Sequence, residues 1–174
     1  MKVVRVALSV PLLLLMAQSG GEPLVLHPLM KDVVAVQAQA LWDVGNNAVD
    51  DNGAPDPKKV SAANWAKLDV AAEAMKAAAM RMASAGTIQV APAGLKLQDD
   101  GAPGALTGAQ VQALIDGDRK GFADHALELA AISDSLIAAA ASKDAAKLVD
   151  AAGTLDQVCE ACHMKFWYPT PPEK

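Results

Sequence analysis

The chain is poor in aromatic residues and in basic charge. Aromatic side chains account for 3% of its 174 residues, whereas Ala is abundant, and this composition favours helices that pack closely together. Fifteen Lys and Arg residues against twenty Asp and Glu residues give a formal net charge of −5. A nucleic-acid-binding protein is therefore disfavoured, because such proteins present a basic face.

A long apolar run lies at the N-terminus. Residues 6–16 are apolar, Lys2 and Arg5 precede them, and the small residues of Ala17-Gln18-Ser19 follow. This is the pattern of a secretory signal peptide, and the run is shorter than the roughly 20 residues that a membrane span needs. No Cys follows it to mark a lipoprotein anchor, although an uncleaved N-terminal helix is an alternative. No later segment is apolar enough to span a bilayer, so we expect no integral membrane span.

Cleavage after Ser19 would divide the chain into a signal peptide (1–19) and one domain (20–174). The remaining 155 residues are about the size of one ordinary domain. The removed segment carries two basic and no acidic side chains, so the formal net charge changes from −5 to −7. We therefore expect an acidic periplasmic protein, whose partner protein would present a basic surface patch.

Four segments have the apolar spacing of amphipathic helices, and little of the chain alternates as a strand does. The first segment begins at His27-Pro28, the second follows Ser61 as its N-cap, and the third opens with a capping box of Thr107 and Gln110. The fourth contains both cysteines. Four amphipathic helices with short and medium connections predict an all-α fold, an antiparallel four-helix bundle.

Small residues mark the expected ends and breaks of these helices. Gly86 lies where a C-terminal cap of the second segment would lie, and residues 87–106 are predicted to form a long connection. Gly117 and Gly121 are expected to break or bend the third segment near its start. Ser142 is expected to end this segment and to cap the fourth.

Cys159 and Cys162 belong to a C-x-x-C-H motif that ends at His163. In this motif each thiol adds to one haem vinyl group and the imidazole ligates the iron from one side. Positions i, i+3 and i+4 share one helix face, so a single haem can engage all three residues. Three other uses of the cysteines are disfavoured. A zinc site would need a further ligand or an open position, and a thioredoxin-like redox pair would need an α/β pattern. A disulfide across one helical turn would strain the helix. The predicted cofactor is one covalently attached haem c.

The motif does not identify the residue that would bind the iron on the side opposite His163. The candidates are His27, Met30, Met75, Met80, Met82 and His125. Met75 and Met82 lie on an apolar helix seam, which favours simple core packing. His125 also lies on an apolar seam. Three interpretations are open for it: a hydrogen-bonded core residue, a neighbour of a haem propionate, or an iron ligand, and the last is the least favoured. Basic residues on the helices, Lys76, Arg81 and Lys120, are expected to be solvated and not to hold propionates.

The export signal, the four helices and the C-E-A-C-H-M-K-F stretch of the last helix resemble the cytochrome c prime superfamily of bacterial four-helix haem proteins. The Leu29-Met30-Lys31 triplet is similar to the distal methionine segment of its low-spin members. The resemblance therefore implies that Met30 is the sixth iron ligand and that His163 and Met30 are the two metal ligands. The order of the helices resembles the family over the whole mature chain, but the haem motif is the only specific part of the resemblance.

The chain departs from the family near its C-terminus. Many members carry a basic residue four positions after the haem histidine, where this chain has Trp167, and its nearest basic residue is Lys165. The ending of residues 166–169 resembles a less characterised cytochrome branch. Trp167 either shields the proximal side of the haem or anchors the C-terminus by packing, and the sequence favours neither. The reduction potential is not fixed by this pattern.

The leading functional hypothesis is a one-electron carrier, not an enzyme, with His163 and Met30 bound in both iron states. The alternative is a five-coordinate haem protein that binds or senses NO or CO, if Met30 only packs. A peroxidase would need an open iron and acid–base help, for which His125 is the evident candidate. A homodimer formed through two helices is compatible with a bundle of this kind.

Overall fold

A computed structural model describes residues 22–97, 100 and 105–168 of the chain. Its elements in chain order are β1 (Leu24–Val25), α1 (Leu26–Leu29), a π-helical turn (Met30–Val34), α2 (Ala35–Asn46), a 3-10 turn (Pro57–Lys59), α3 (Ala62–Ser84), β2 (Ile88–Gln89), α4 (Gly108–Gly117), α5 (Arg119–Ser142) and α6 (Ala145–Phe166). The described chain is mostly helical with little strand, which agrees with the all-α class. The predicted signal peptide, residues 1–19, lies outside the described residues.

The predicted helix starts are confirmed where they rest on local caps. The Ser61 hydroxyl accepts a hydrogen bond from the Asn64 backbone N–H at 3.1 Å. Thr107 and Gln110 form the reciprocal capping box: each side chain accepts from the other residue's backbone N–H, at 3.3 and 2.8 Å. These contacts satisfy backbone donors that the first helical turn leaves without partners.

The expected break in the third segment is present, whereas the cap of the fourth helix was assigned to the wrong residue. Helix α4 ends at Gly117, and α5 begins directly after Asp118. Helix α5 ends at Ser142, whose hydroxyl donates back to the Ala138 carbonyl at 2.8 Å. The cap of α6 is Asp144, because its carboxylate accepts from two backbone N–H groups at the start of that helix, both at 3.1 Å.

The end of α3 also differs from the prediction. The sequence predicts a C-terminal cap at Gly86, but the residue after the last helical residue is Ala85, in an extended conformation with ψ 122°. The chain then bends at Gly86 and Thr87 before it enters β2.

The four long helices contact one another in a closed cycle. Helix α3 packs most extensively against α5, α5 packs against α6, and α2 packs against both α3 and α6. The largest fully buried side chains come from all four helices; they include Leu41, Leu68, Met75, Leu136, Leu148 and Leu155. Within the described residues, no helix is both long enough and apolar enough to cross a membrane.

The N-terminal segment is tied to the connection between α3 and α4. Strands β1 and β2 pair in parallel, with Leu24 opposite Ile88. The Leu24 N–H donates to the Thr87 carbonyl at 2.9 Å, and the His27 N–H donates to the Val90 carbonyl at 2.8 Å. The predicted connection thus contains a strand that holds the start of the first helix in place.

Candidate functional site

An apolar cavity lies between the N-terminal segment, helices α3 to α6 and the connection after β2. Its volume is about 140 Å³, its mouth opens to solvent, and its walls are almost entirely apolar. Apolar walls with a few polar groups are typical of cofactor and ligand pockets. The cavity is lined by every residue of the C-x-x-C-H motif that was assigned a chemical role, together with Met30.

Cys159 and Cys162 lie one turn apart on α6 and are half-buried free thiols. Burial raises the pKa of the Cys159 thiol to about 11, with a further contribution from the Asp156 carboxylate. Burial also raises the pKa of Cys162 to about 11, aided by Cys159 and Glu128. Both groups are therefore protonated thiols at neutral pH, which makes them poor nucleophiles and poor metal ligands in the absence of an activating partner.

His163 follows directly on α6 and lines the same cavity. Burial lowers the pKa of its imidazole, and the nearby Glu160 carboxylate opposes this shift. A lowered pKa keeps the ring neutral near pH 7, which is the state that can ligate a metal.

Two aromatic rings pack on the His163 imidazole. Trp167 meets it edge to face with ring centroids 5.0 Å apart, and the Tyr168 ring lies 5.9 Å away. The backbone N–H groups of both residues donate to the His163 carbonyl at 2.8 and 2.9 Å, and the Tyr168 hydroxyl donates to Glu160 at 2.6 Å. Trp167 also lines the cavity and packs beside the imidazole, and its shielding of a haem edge stays a prediction.

The methionines separate clearly by location. Met30, half-buried at the first residue of the π-helical turn, lines the cavity. Met75 is fully buried in the core, as its seam position predicted, whereas Met80 is 45% exposed. Met82 is buried as expected, but it also lines the cavity, which its place on the seam did not indicate. Met30 and Met82 are thus the two thioethers that face this space.

The two remaining candidate histidines also line the cavity. The His125 Nδ1 lies 2.9 Å from the Glu128 carboxylate, and its ring packs edge to face on Phe166 at 6.1 Å. This pairing matches the prediction of a hydrogen-bonded histidine on a helix seam. His27 lies at the helix entrance, with its backbone N–H bonded to Val90.

The helical basic residues are not part of the cavity wall. Lys76 pairs with Asp134 and Lys120 with Asp124, both at 2.7 Å, in exposed contacts. Arg81 is exposed on α3. This agrees with the expectation that these side chains are solvated.

Sequence reasoning did not identify the residues that close the cavity from the α3–α4 connection. Val90 and Leu97 line it, although the connection was predicted as irregular chain. Gln112 of α4 holds this connection, since its amide accepts from the Val90 N–H at 2.8 Å and donates to the Ile88 carbonyl at 3.0 Å. These partners are 22 and 24 residues away along the chain, so no local pattern could indicate the contact.

The described residues contain no group of three or more His, Cys, Asp or Glu side chains arranged to hold a metal ion. Comparisons of the chain with protein-family models, with curated proteins and with solved structures find no match.

Proposed function

We propose that this chain is a monohaem c-type cytochrome that carries one electron. Cys159 and Cys162 would hold the haem through thioethers, and His163 and Met30 would ligate the iron. The observation that carries the proposal is that Met30 and the C-x-x-C-H motif, from opposite ends of the chain, line one apolar cavity. A sequence motif alone does not require such a convergence.

The chemistry of the donor set fits a covalent haem. A porphyrin ring needs apolar walls, and the cavity supplies them. Cys159 and Cys162 are both free thiols on one side of this cavity, and a thiol that adds across a vinyl group gives a thioether. His163 is neutral and faces the same space, and its ring is fixed by Trp167.

The helix contacts support the bundle part of the proposal. The cycle of α2, α3, α5 and α6 is the contact pattern of a four-helix bundle. We infer that these helices form an antiparallel haem bundle over residues 20–174, with residues 1–19 removed on export to the periplasm.

When bound, the haem supplies the Fe(III)/Fe(II) couple, and the protein controls its surroundings. The apolar walls would limit the access of water to a bound haem, and with His163 and Met30 both holding its iron no site would be left for a substrate, so we expect no enzymatic turnover. Methionine opposite histidine raises the reduction potential of a haem. The role of the chain is therefore to hold both axial ligands in the oxidised and reduced states.

The redox partner is expected to present a basic patch. The formal net charge of −7 for residues 20–174 favours such an encounter. Asp156 and Glu160 lie on α6 beside Cys159, and the exposed Met164 and Tyr168 lie on the following turn. A homodimer stays a prediction, which sedimentation of the holoprotein would test.

The proposal is tested first by the covalent bond and then by the axial ligand. Protein matured with a cytochrome c assembly system should gain the mass of one haem and keep it through acid–acetone extraction. Met30→Leu should abolish the Met-to-iron charge-transfer band of the ferric protein. Met82→Leu is the matched control, because it makes the same chemical change in the same cavity, and it should leave the band intact.

Two outcomes would contradict the proposal. A haem extracted by acid–acetone would exclude attachment through Cys159 and Cys162. A spectrum unchanged by Met30→Leu but altered by Met82→Leu would assign the sixth ligand to Met82.

A second candidate is a haem protein that binds NO or CO. It is favoured by the mouth of the cavity, which opens to solvent and would admit a small ligand, and by the incomplete burial of Met30. This candidate predicts a high-spin parent protein that binds CO readily and is unaffected by Met30→Leu.

A further inference from the structure

Met30 begins a π-helical turn in the second turn of a helical run that continues from Leu26 to Asn46. Helix α1 contains four residues, and it joins α2 through a single π-helical turn that begins at Met30. The first turn of a helix leaves backbone N–H groups without helical partners, so contacts from outside the helix hold this turn in place. Such contacts influence the direction of Met30, which follows one turn later.

The external support is the connection after α3, which we call the strap (residues 87–90). Its Thr87 and Val90 carbonyls accept from the N–H groups of Leu24 and His27, at 2.9 and 2.8 Å. His27 precedes Met30 by three residues, less than one helical turn. The strap thus fixes the N-terminal segment at the start of β1 and again just after it, shortly before the proposed ligand.

Gln112 holds the strap from the opposite side. Its amide oxygen accepts from the Val90 N–H at 2.8 Å, and its amide nitrogen donates to the Ile88 carbonyl at 3.0 Å. A neighbouring strand would bond the same two backbone groups, so one side chain replaces a third strand. The nitrogen also donates to Asp116 at 3.0 Å, which fixes the orientation of the amide.

We propose that Gln112 is a positioning residue for the distal iron ligand. It acts through Val90 and His27 to keep Met30 directed into the cavity, and both of those residues line the cavity with Met30. This inference rests on the proposed function, since it assigns Gln112 a role only if Met30 ligates the iron. Gln112 touches neither the cavity nor any proposed ligand directly, and sequence motifs give no indication of it.

The test compares Gln112→Met with Gln89→Met in the haem-loaded protein. Methionine keeps the length of glutamine but removes both hydrogen-bonding functions of the amide. Gln89 is the matched control, because it lies in the strap itself but its amide bonds only the Ala91 carbonyl, two residues away. The readouts are the ferric Met-to-iron band, CO binding to the ferrous protein and the thermal midpoint by circular dichroism.

Gln112→Met should weaken or abolish the band and raise the apparent CO affinity about tenfold or more. An increase of this size follows if the fraction of molecules with Met30 displaced rises from about 1% to about 10%. Gln89→Met should match the parent in both readouts. If Gln112→Met does not fold, Asp116→Ala decides: it removes the acceptor that orients the Gln112 amide and leaves both bonds to the strap, so a smaller change in the same direction is expected.

The two proposals fail in different ways. If Met30→Leu abolishes the band but Gln112→Met and Asp116→Ala leave band and CO affinity as in the parent, the positioning role is wrong and the proposed ligation stands. If Met30→Leu leaves the parent spectrum unchanged, the ligation by Met30 is wrong and the role of Gln112 falls with it. A thermal midpoint that drops while the band and CO affinity stay unchanged would show that Gln112 is only structural.

Discussion

Lys165 of α6 and Asp118 at the start of α5 form an ion pair, with Nζ and Oδ2 2.6 Å apart. Asp118 also caps α5 by accepting from the Gly121 N–H at 2.8 Å. A side chain at Gly121 would contact both members of the pair, so glycine is needed there for a close approach. The pair ties the last turn of α6, two residues after His163, to the base of the neighbouring helix.

This ion pair predicts an acid-dependent loss of stability. Lys165 and the Gly121 N–H hold the pKa of Asp118 below its usual value of 3.8. The carboxylate therefore stabilises the fold above that value, and its contribution is lost as the pH falls through the lower folded-state pKa. Asp118→Asn should lower the thermal midpoint at pH 7 and have a smaller effect near pH 2.

Asp124→Asn is the control for this prediction. Asp124 pairs with Lys120 on the same exposed helix surface at 2.7 Å, a contact that typically contributes little to stability. Its substitution should leave the midpoint almost unchanged at both pH values. Equal effects of the two substitutions would contradict a specific role for the contact between Asp118 and Lys165.

The features that sequence reasoning predicted correctly are local ones. The caps at Ser61 and Thr107 each join residues three positions apart: the hydroxyl of the capping residue accepts a hydrogen bond from the backbone N–H three residues later. The motif around His163 is equally local. Its convergence with Met30 in one cavity could be anticipated only through a family resemblance, because the two residues are separated by most of the chain.

The π-helical turn and the cap of α6 show why other features escaped prediction. The apolar stripe of the first helix contains both Val33 and Val34, but only Val34 is buried. The hydrogen bond from the Ala35 N–H to the Met30 carbonyl spans five residues, one more than in an α-helix, and so changes which side chain faces the core. Asp144 replaced Ser142 as a cap because Lys143, with φ 51°, ends α5 in a left-handed turn.

A second prediction concerns the close contact between α2 and α6. A Cβ atom at Gly45 would lie 2.8 Å from the Ala152 Cβ, and neither atom can move without its helix. Gly45→Ala should therefore destabilise the protein by about 1–3 kcal/mol, although alanine gains about 1 kcal/mol of helix propensity. Urea unfolding followed by circular dichroism measures the difference.

Gly153→Ala is the matched control, because Gly153 lies on α6, the helix that packs against Gly45 of α2. Its added methyl group would have nothing within 4 Å, so only the propensity gain applies. The variant should be more stable than the parent by about 1 kcal/mol. If both alanine variants were stabilised equally, the helices would not be as closely packed at Gly45 as the structure has them.

A third prediction concerns the single tyrosine of the chain. The hydrogen bond from its hydroxyl to Glu160 raises the pKa of Tyr168 from 10.0 to about 12. Because the folded-state pKa is raised, the contact stabilises the fold below pH 10 and the contribution is lost as the pH rises through 12. Glu160→Gln should return the pKa towards 10.0, which NMR of ring-labelled tyrosine can follow without overlap. A Tyr168 pKa equal in parent and variant would contradict the hydrogen bond.

The last prediction concerns the thiols before haem attachment. Burial raises the pKa of Cys159 and Cys162 to about 11, so the reduced apoprotein should react slowly with iodoacetamide near pH 7. The reaction rate should rise with pH until about 11, whereas the same chain unfolded in urea should level off near pH 9, the ordinary value for a thiol. Mass spectrometry of the alkylated protein measures both profiles. Coincident profiles would mean that the two thiols are exposed in the apoprotein and that the cavity forms only around a bound group.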